Sequence, residues 1–324
     1  MGYAFNSIFA EEIKSYIELV VASGRYVEKI KSSLKSLDIY LSSCPAAEKT
    51  LPESLVTSCL NGKNVKPQTK TRILDDIRGF AKYLASAGYR VSLPEPQITH
   101  QDYVPYIFSS AEMARLFDAA DNFQAHPNSY PADIQFPVVL RILYGCGLRL
   151  REALTMTWKG VDFDRGIIII HTAKNQKQRL VPFSDSLKNV LAQYRRFMFS
   201  NGGGYNYVFE SRRNPGNPYD NSTFWRWFSK ILREADIFFT RRSTHERGPC
   251  PHCMRHMFVV HSFMKSEAED RDMENSVPFL SAYLGHEGIL ETQKYLRASY
   301  ILYTQSHQKV NAYIGGLFPE VSFG

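Results

Sequence analysis

Four short stretches of the chain carry side chains suited to chemistry on a charged ester. In Gly147-Leu148-Arg149-Leu150-Arg151-Glu152 an arginine opens a helical pattern. There Arg149 can aim its guanidinium fork at an anion beside a helix start, and Glu152, three residues on, can hold the fork in place. Lys174 lies in the polar stretch Ala173-Lys174-Asn175-Gln176-Lys177, between two strand-like runs, where a lysine can protonate a leaving group. In Cys250-Pro251-His252-Cys253-Met254-Arg255-His256 the His252 and Arg255 positions share one face if the segment is helical. The fourth stretch, from Tyr283-Leu284-Gly285-His286 to Thr292 and Tyr295, offers a histidine at a helix end and a tyrosine beyond it. Taken singly, each also fits ordinary structure: a surface arginine, a solvated turn lysine, a packing tyrosine.

Taken together they supply a complete phosphoryl transfer. A tyrosine hydroxyl attacks phosphorus, two arginines neutralise the pentavalent phosphorane, and a lysine or histidine protonates the departing 5′-oxygen. The bond energy stays in a phosphotyrosine, so the scheme needs no cofactor and no metal. The sequence contains neither a Gly-x-x-x-x-Gly-Lys-Ser/Thr phosphate loop nor an acidic metal cluster. Cys250 and Cys253 form a C-x-x-C that admits two further readings, a redox pair or, with His245, His252 and His256, a zinc site. The redox reading lacks the βαβ context of such motifs, and the zinc reading lacks a second ligand pair at finger-like spacing.

These motifs, in this order over about residues 145–296, resemble those of the tyrosine recombinase, or phage integrase, family. Gly147-Leu148-Arg149 with Glu152 resembles its first arginine box and Lys174 its hairpin lysine. Pro251-His252-x-x-Arg255-His256 resembles the H-x-x-R-H box, and Leu284-Gly285-His286 with Thr292 and Tyr295 the closing histidine and nucleophile. The resemblance implies that Arg149 and Arg255 clamp the scissile phosphate, with Lys174 as general acid and His252 as base or proton relay. It also implies that His286 hydrogen-bonds the phosphate, that Tyr295 is the nucleophile, and that Glu152 and His256 support the others from behind. Arg297 stands where many members have a histidine, and the basic approach Arg241-Arg242 to Cys250 is longer than usual. That approach, together with Leu280-Ser281-Ala282-Tyr283-Leu284-Gly285-His286 and Tyr295-Leu296, resembles recombinases of transposons and related mobile elements. Tyr300 and Tyr303 are rival nucleophiles by proximity, and Tyr283 precedes the histidine; spacing from His286 favours Tyr295.

Elements must bring these groups together. The 324 residues, 44% hydrophobic, suit two domains. The expected fold is mainly α with a small β-sheet, with helices over 1–92, a linker over 93–107 and a mixed α/β domain over 108–324; the resemblance implies that the first is a SAM-like core-binding domain and the last the catalytic domain. In the first domain Ile13, Ile17, Leu19 and Val20, then Val27, Ile30, Leu34, Leu37 and Leu41, recur at helical spacing. A third helix fits Ser54 to Leu60. A fourth runs from about Thr69 to Ala87, with Ile73, Ile77, Phe80 and Leu84 on one face and Lys70, Arg72, Arg78 and Lys82 as candidate contacts to a nucleic-acid backbone. Further on, a serine cap at Ser109-Ser110 starts a helix, Phe136 to Tyr144 is a buried helix, and Gly145-Cys146-Gly147 breaks it. Ile167–Ile170 and Arg179–Phe183 read as strands.

A net charge of +7 is compatible with a polyanionic partner but does not demand one. The resemblance implies double-stranded DNA carrying inverted repeats, bound by Arg241 and Arg242 among others. It also implies a homotetramer on paired sites, room for accessory proteins, no membrane, and a cytoplasmic, nucleoid-associated location. The start at Met1–Ala10 lacks the layout of a secretory signal. The apolar tail around Ile301, Tyr313 and Phe318 fits packing on its own domain or insertion into a neighbouring protomer. Two other activities remain to be separated: a DNA-binding protein without cleavage, and a type IB topoisomerase or telomere resolvase.

Overall fold

A computed structural model describes residues 3–25, 27–44, 48–95, 105–129, 131–171, 178–200, 205–211, 214–241, 246–269, 271, 273–285 and 292. The chain divides into two compact units, Met1–Gln101 and Asp102–Gly324.

Among the described residues the first unit has four helices: α1 (Ala10–Ala22), α2 (Glu28–Ser42), α3 (Glu53–Asn61) and α4 (Pro67–Ser86). Pro67 begins α4, where a missing N–H costs nothing. Its inward stripe, Ile73, Leu74, Ile77, Phe80, Ala81 and Leu84, is buried. The stripe closes a core with Phe9, Ile13, Leu34, Leu37 and Val56. Asp38 is fully buried in this unit and accepts from the Tyr3 hydroxyl at 2.8 Å and the Ser7 N–H at 2.9 Å. A short parallel bridge between Leu51 and Val91 ties the chain leaving α4 back to the unit, and Leu93 packs on its core.

Among the described residues the second unit has seven α-helices and one small sheet. α5 (Ser110–Asp121) opens with a full capping box, Ser109 Oγ accepting from the Glu112 N–H and Glu112 accepting from the Ser109 N–H. Tyr106, Ile107 and Phe108, just ahead of it, pack into the core of this unit. α6 (Ala132–Cys146) is the buried centre and packs against α5, α7 (Leu150–Leu154), α8 (Asp185–Ser200) and α10 (His252–Ala268). α9 (Asn221–Glu234) packs on α5, and α11 (Met273–Leu284) on α10.

The sheet is antiparallel, β1 (Val161–Asp162), β2 (Ile167–His171) and β3 (Gln178–Pro182), in that order. Ile168 pairs with Val161 on one side and Val181 on the other, and all three are buried. β1 is too short for a period-2 pattern and gave no sequence signal. One expectation is corrected in detail: Gly145 and Cys146 stay helical, and the chain turns at Gly147 alone, in the left-handed region at φ 59°. A Cβ at Gly147 would stand 2.5 Å from Phe258 Cδ1, so both the turn and the close approach need glycine.

Candidate active site

Gly147 places Arg149 directly ahead of α7, while Arg255 sits one turn into α10 and is 1% exposed. The two arginines, remote in sequence, meet at the C-terminal end of α11. Arg149 Nη2 donates to the Gly285 carbonyl at 3.2 Å. Arg255 Nη2 donates to the Leu284 carbonyl and its Nη1 to the Gly147 carbonyl, both at 2.8 Å. The last carbonyls of a helix lack partners within it and carry the negative end of its dipole, so guanidinium groups are the natural caps. Gly285, at φ 65°, leaves α11 at this point. Tyr283 fastens the same helix end, with its hydroxyl on the Cys146 carbonyl at 3.1 Å and its ring stacked on Phe258. Burial pushes the Tyr283 phenol up, which speaks for packing and against a nucleophile.

Glu152 holds Arg149 from behind. Its carboxylate accepts from the Arg149 N–H at 2.9 Å and from Arg149 Nη1 at 3.0 Å. On its other side it takes both arms of Arg179, Nη1 at 2.9 Å and Nη2 at 2.6 Å. Both side chains are largely buried, 9% exposed for Glu152 and 11% for Arg179. Burial pushes the carboxyl up. The Arg179 hydrogen bonds and charge, with the Arg149 N–H and charge, outweigh it and hold Glu152 at about 2.

Arg179 was read from the sequence only as part of a strand. It lies two residues from the buried Val181, so both point to the same face of β3. A charged residue on the inward face of a strand was the available signal. Its guanidinium also lies under Gly285, where a Cβ would meet Nη1 at 3.2 Å. Arg179 therefore joins the sheet, Glu152 and the end of α11.

His252 opens α10 and is exposed at the surface, although enough protein lies around the ring to desolvate it. This desolvation, then the charges of Arg255 and Arg149, push its pKa down to about 4. His256, one turn on and 1% exposed, meets the His252 ring edge-to-face at 4.7 Å between centroids. Burial, then His252 and Arg255, push it down to about 3. Both rings are thus neutral near pH 7.

Arg149, Glu152, His252, Arg255 and His256 are accordingly brought together. Lys174, His286 and Tyr295 lie outside the described residues, as do the rivals Tyr300 and Tyr303; Thr292 is buried. Of the candidate backbone contacts on α4, Lys82 is exposed and Lys70 half-buried. Arg72 instead pairs with Asp76 at 2.8 Å and reaches Ser33, and Arg78 donates to the Pro94 carbonyl. Arg241 is exposed, and Arg242 is outside the described residues. Among the described residues no three His, Cys, Asp or Glu side chains cluster to hold a metal ion. No helix there is long and apolar enough to cross a membrane.

Residues 107–300, more than half of the chain, match the model of the phage integrase family. The chain belongs to that family. Among relatives of this recombinase is y4rB of Sinorhizobium fredii, assigned as an integrase/recombinase, 29% identical over 303 residues, covering 90% of this chain and 94% of that one. Another is the tyrosine recombinase XerD of Pseudomonas putida, 27% identical over 248 residues and 75% of each chain. A solved lambda integrase tetramer bound to a Holliday junction shares the fold with TM-score 0.60 at 15% identity, over 86% of this chain and 77% of that one. The mainly helical architecture with one small sheet is that of this family, and the chain is a tyrosine-type site-specific recombinase, an enzyme that cuts and rejoins DNA.

Proposed function

We propose that Tyr295 attacks the scissile phosphate of a duplex DNA site, forming a 3′-phosphotyrosyl bond and releasing a 5′-hydroxyl that Lys174 protonates. Arg149 and Arg255 balance the charge that builds on the phosphorane oxygens, and His286 donates a hydrogen bond to one of them. His252, neutral near pH 7, is able to accept the tyrosine proton or relay it. Attack by a 5′-hydroxyl from a second duplex reverses the step and exchanges strands through a Holliday junction. Glu152 and His256 hold the reacting groups in place.

One observation carries this reading: Arg149 and Arg255 converge on the carbonyls of Leu284 and Gly285, the residues that lead directly into His286. A phosphate taken up by Arg149 would therefore lie beside Gly285, the residue that directly precedes His286 in the sequence. Arg149 remains 39% exposed, open to an incoming phosphate, while Arg255 is fixed by two carbonyls.

A tetramer, the assembly that lambda integrase forms on a Holliday junction, would act on paired inverted-repeat sites. In this reading the unit over 1–92 grips DNA through Lys82 and Lys70, 93–107 is the linker, and 108–324 is catalytic. Arg241 and Arg242 meet the DNA backbone beside the site. Such an enzyme works at the nucleoid, in the cytoplasm, and the basic approach to Cys250 favours carriage on a mobile element.

Sequencing the DNA flanking the gene for inverted repeats around a short spacer supplies the substrate. A nicked duplex of that site should then trap a covalent protein–DNA adduct and, with a partner duplex, yield recombinant strands. Binding without any adduct would leave a DNA-binding protein. Relaxation of supercoiled DNA without site preference would point to a topoisomerase.

A further inference from the structure

Recombination chemistry leaves the two cysteines of Cys250-Pro251-His252-Cys253 unused. Their sulfurs are 3.4 Å apart, and the Cys250 N–H donates to Cys253 Sγ at 3.3 Å. The Cys253 N–H returns to the Cys250 carbonyl at 2.8 Å, so the tetrapeptide is one closed turn leading into α10. Cys253 is 1% exposed, whereas Cys250 is half-buried and reachable. The Cys253 thiol hydrogen bond pulls the Cys250 thiol down to about 7 against its burial, helped by the N–H groups of Cys253 and His252 and the charge of Arg247. The same contact, with burial, drives Cys253 up. One sulfur is thus disposed to react first and the other to resolve.

We propose that Cys250 and Cys253 are a reversible thiol–disulfide modification site, and that closing the disulfide slows DNA cleavage. The oxidant is a low-molecular-weight disulfide. The Cys250 thiolate attacks one of its sulfurs and expels one thiolate, giving a mixed disulfide. Cys253 gives up its proton to solvent and attacks Cys250 Sγ, and the second small thiolate leaves. The protein loses two electrons and two protons, and the small disulfide is reduced to two thiols.

Closure shortens the sulfur separation from 3.4 Å to roughly 2.05 Å, and it abolishes the thiol hydrogen bond between the sulfurs. The backbone between them is Pro251-His252. Proline fixes its own φ, so much of the adjustment falls on His252. Arg255, tied to two carbonyls, is less free to follow. Oxidation should therefore shift His252 against the arginines while leaving DNA affinity intact. The loss in rate rests on the catalytic reading of His252; disulfide formation does not.

Full-length protein is treated with oxidised glutathione, then followed by intact mass and maleimide labelling before and after dithiothreitol. The expected result is a loss of about 2 Da and of two labelled thiols, as two hydrogens leave. The loss should be reversible and absent in Cys250→Ser and in Cys253→Ala. On the nicked substrate the oxidised wild type should cleave on the order of 10- to 100-fold more slowly, the scale of a displaced catalytic group. Cys250→Ser should cleave equally with and without oxidant. Retention of both labelled thiols, or a stable mixed disulfide, overturns the site. Disulfide formation with an unchanged cleavage rate overturns the control of cleavage. If reduced wild type forms no adduct, the catalytic reading fails, and the thiol count still decides the disulfide.

Discussion

Replacing Glu152 by glutamine tests how the phosphate clamp is held. The substitution keeps the shape of the side chain and one acceptor but removes the charge that Arg149 and Arg179 share. Holding this carboxyl at about 2 instead of the ordinary 4.5 corresponds to about 3 kcal/mol, at about 1.4 kcal/mol for each tenfold change in proton affinity. Glutamine resembles the protonated acid, so Glu152→Gln should cost on the order of 3 kcal/mol. That agrees with the several kcal/mol typical of breaking one side of a buried ion pair. In the catalytic unit this means a melting temperature lower by roughly 6–12 °C. Urea denaturation of wild type, Glu152→Gln, Arg179→Met and the double variant closes a cycle. The two single losses should overlap strongly, because each removes the same bidentate contact at 2.6 and 2.9 Å. A loss under about 1 kcal/mol for Glu152→Gln, or strictly additive losses, would refute the clamp.

Three more outcomes follow from named contacts. Gly147→Ala must hold a side chain at φ 59° against Phe258, so it should destabilise by about 2–5 kcal/mol and displace Arg149, seen as a lower melting temperature and a loss of cleavage. His256 is held at about 3 in the fold against an ordinary 6.5. The unfolded chain then takes up its proton first, and stability falls as pH drops from about 6.5 towards 3. His256→Asn should flatten that slope in urea titrations at pH 4–7, whereas the Glu152 contribution is lost only below about 4.5, as pH falls towards 2. On α4, Lys82→Ala should reduce the slope of log affinity against log salt by about 1, while Arg72→Ala, whose charge already meets Asp76, should leave it nearly unchanged.

The helices of the first unit were legible because their apolar spacing is regular: Ile73, Ile77, Phe80 and Leu84 are all buried on one stripe. The Ser109 cap was legible for the same local reason. Charge partners were not. Arg72 and Lys82 look alike in the sequence, yet Arg72 finds Asp76 and Ser33 and Lys82 faces solvent. Motif order brought Arg149, Glu152, His252 and Arg255 under one chemistry. It did not show that the arginines cap α11, because that contact joins residues 136 positions apart. Arg179 was passed over because a strand residue is read for propensity, and its role lies in the partner across from it. The break at Gly147 was read two residues too early, since glycine at 145 is tolerated in a helix that tertiary packing buries.

The nucleophile is the residue on which the whole reaction depends. The covalent adduct formed on the nicked site should be digested with protease and the DNA-linked peptide sequenced by mass spectrometry, in parallel with trapping by Tyr295→Phe. The DNA should be carried on Tyr295, and Tyr295→Phe should bind the site but form no adduct. DNA carried on Tyr300, Tyr303 or Tyr283, or an adduct that persists in Tyr295→Phe, would contradict it.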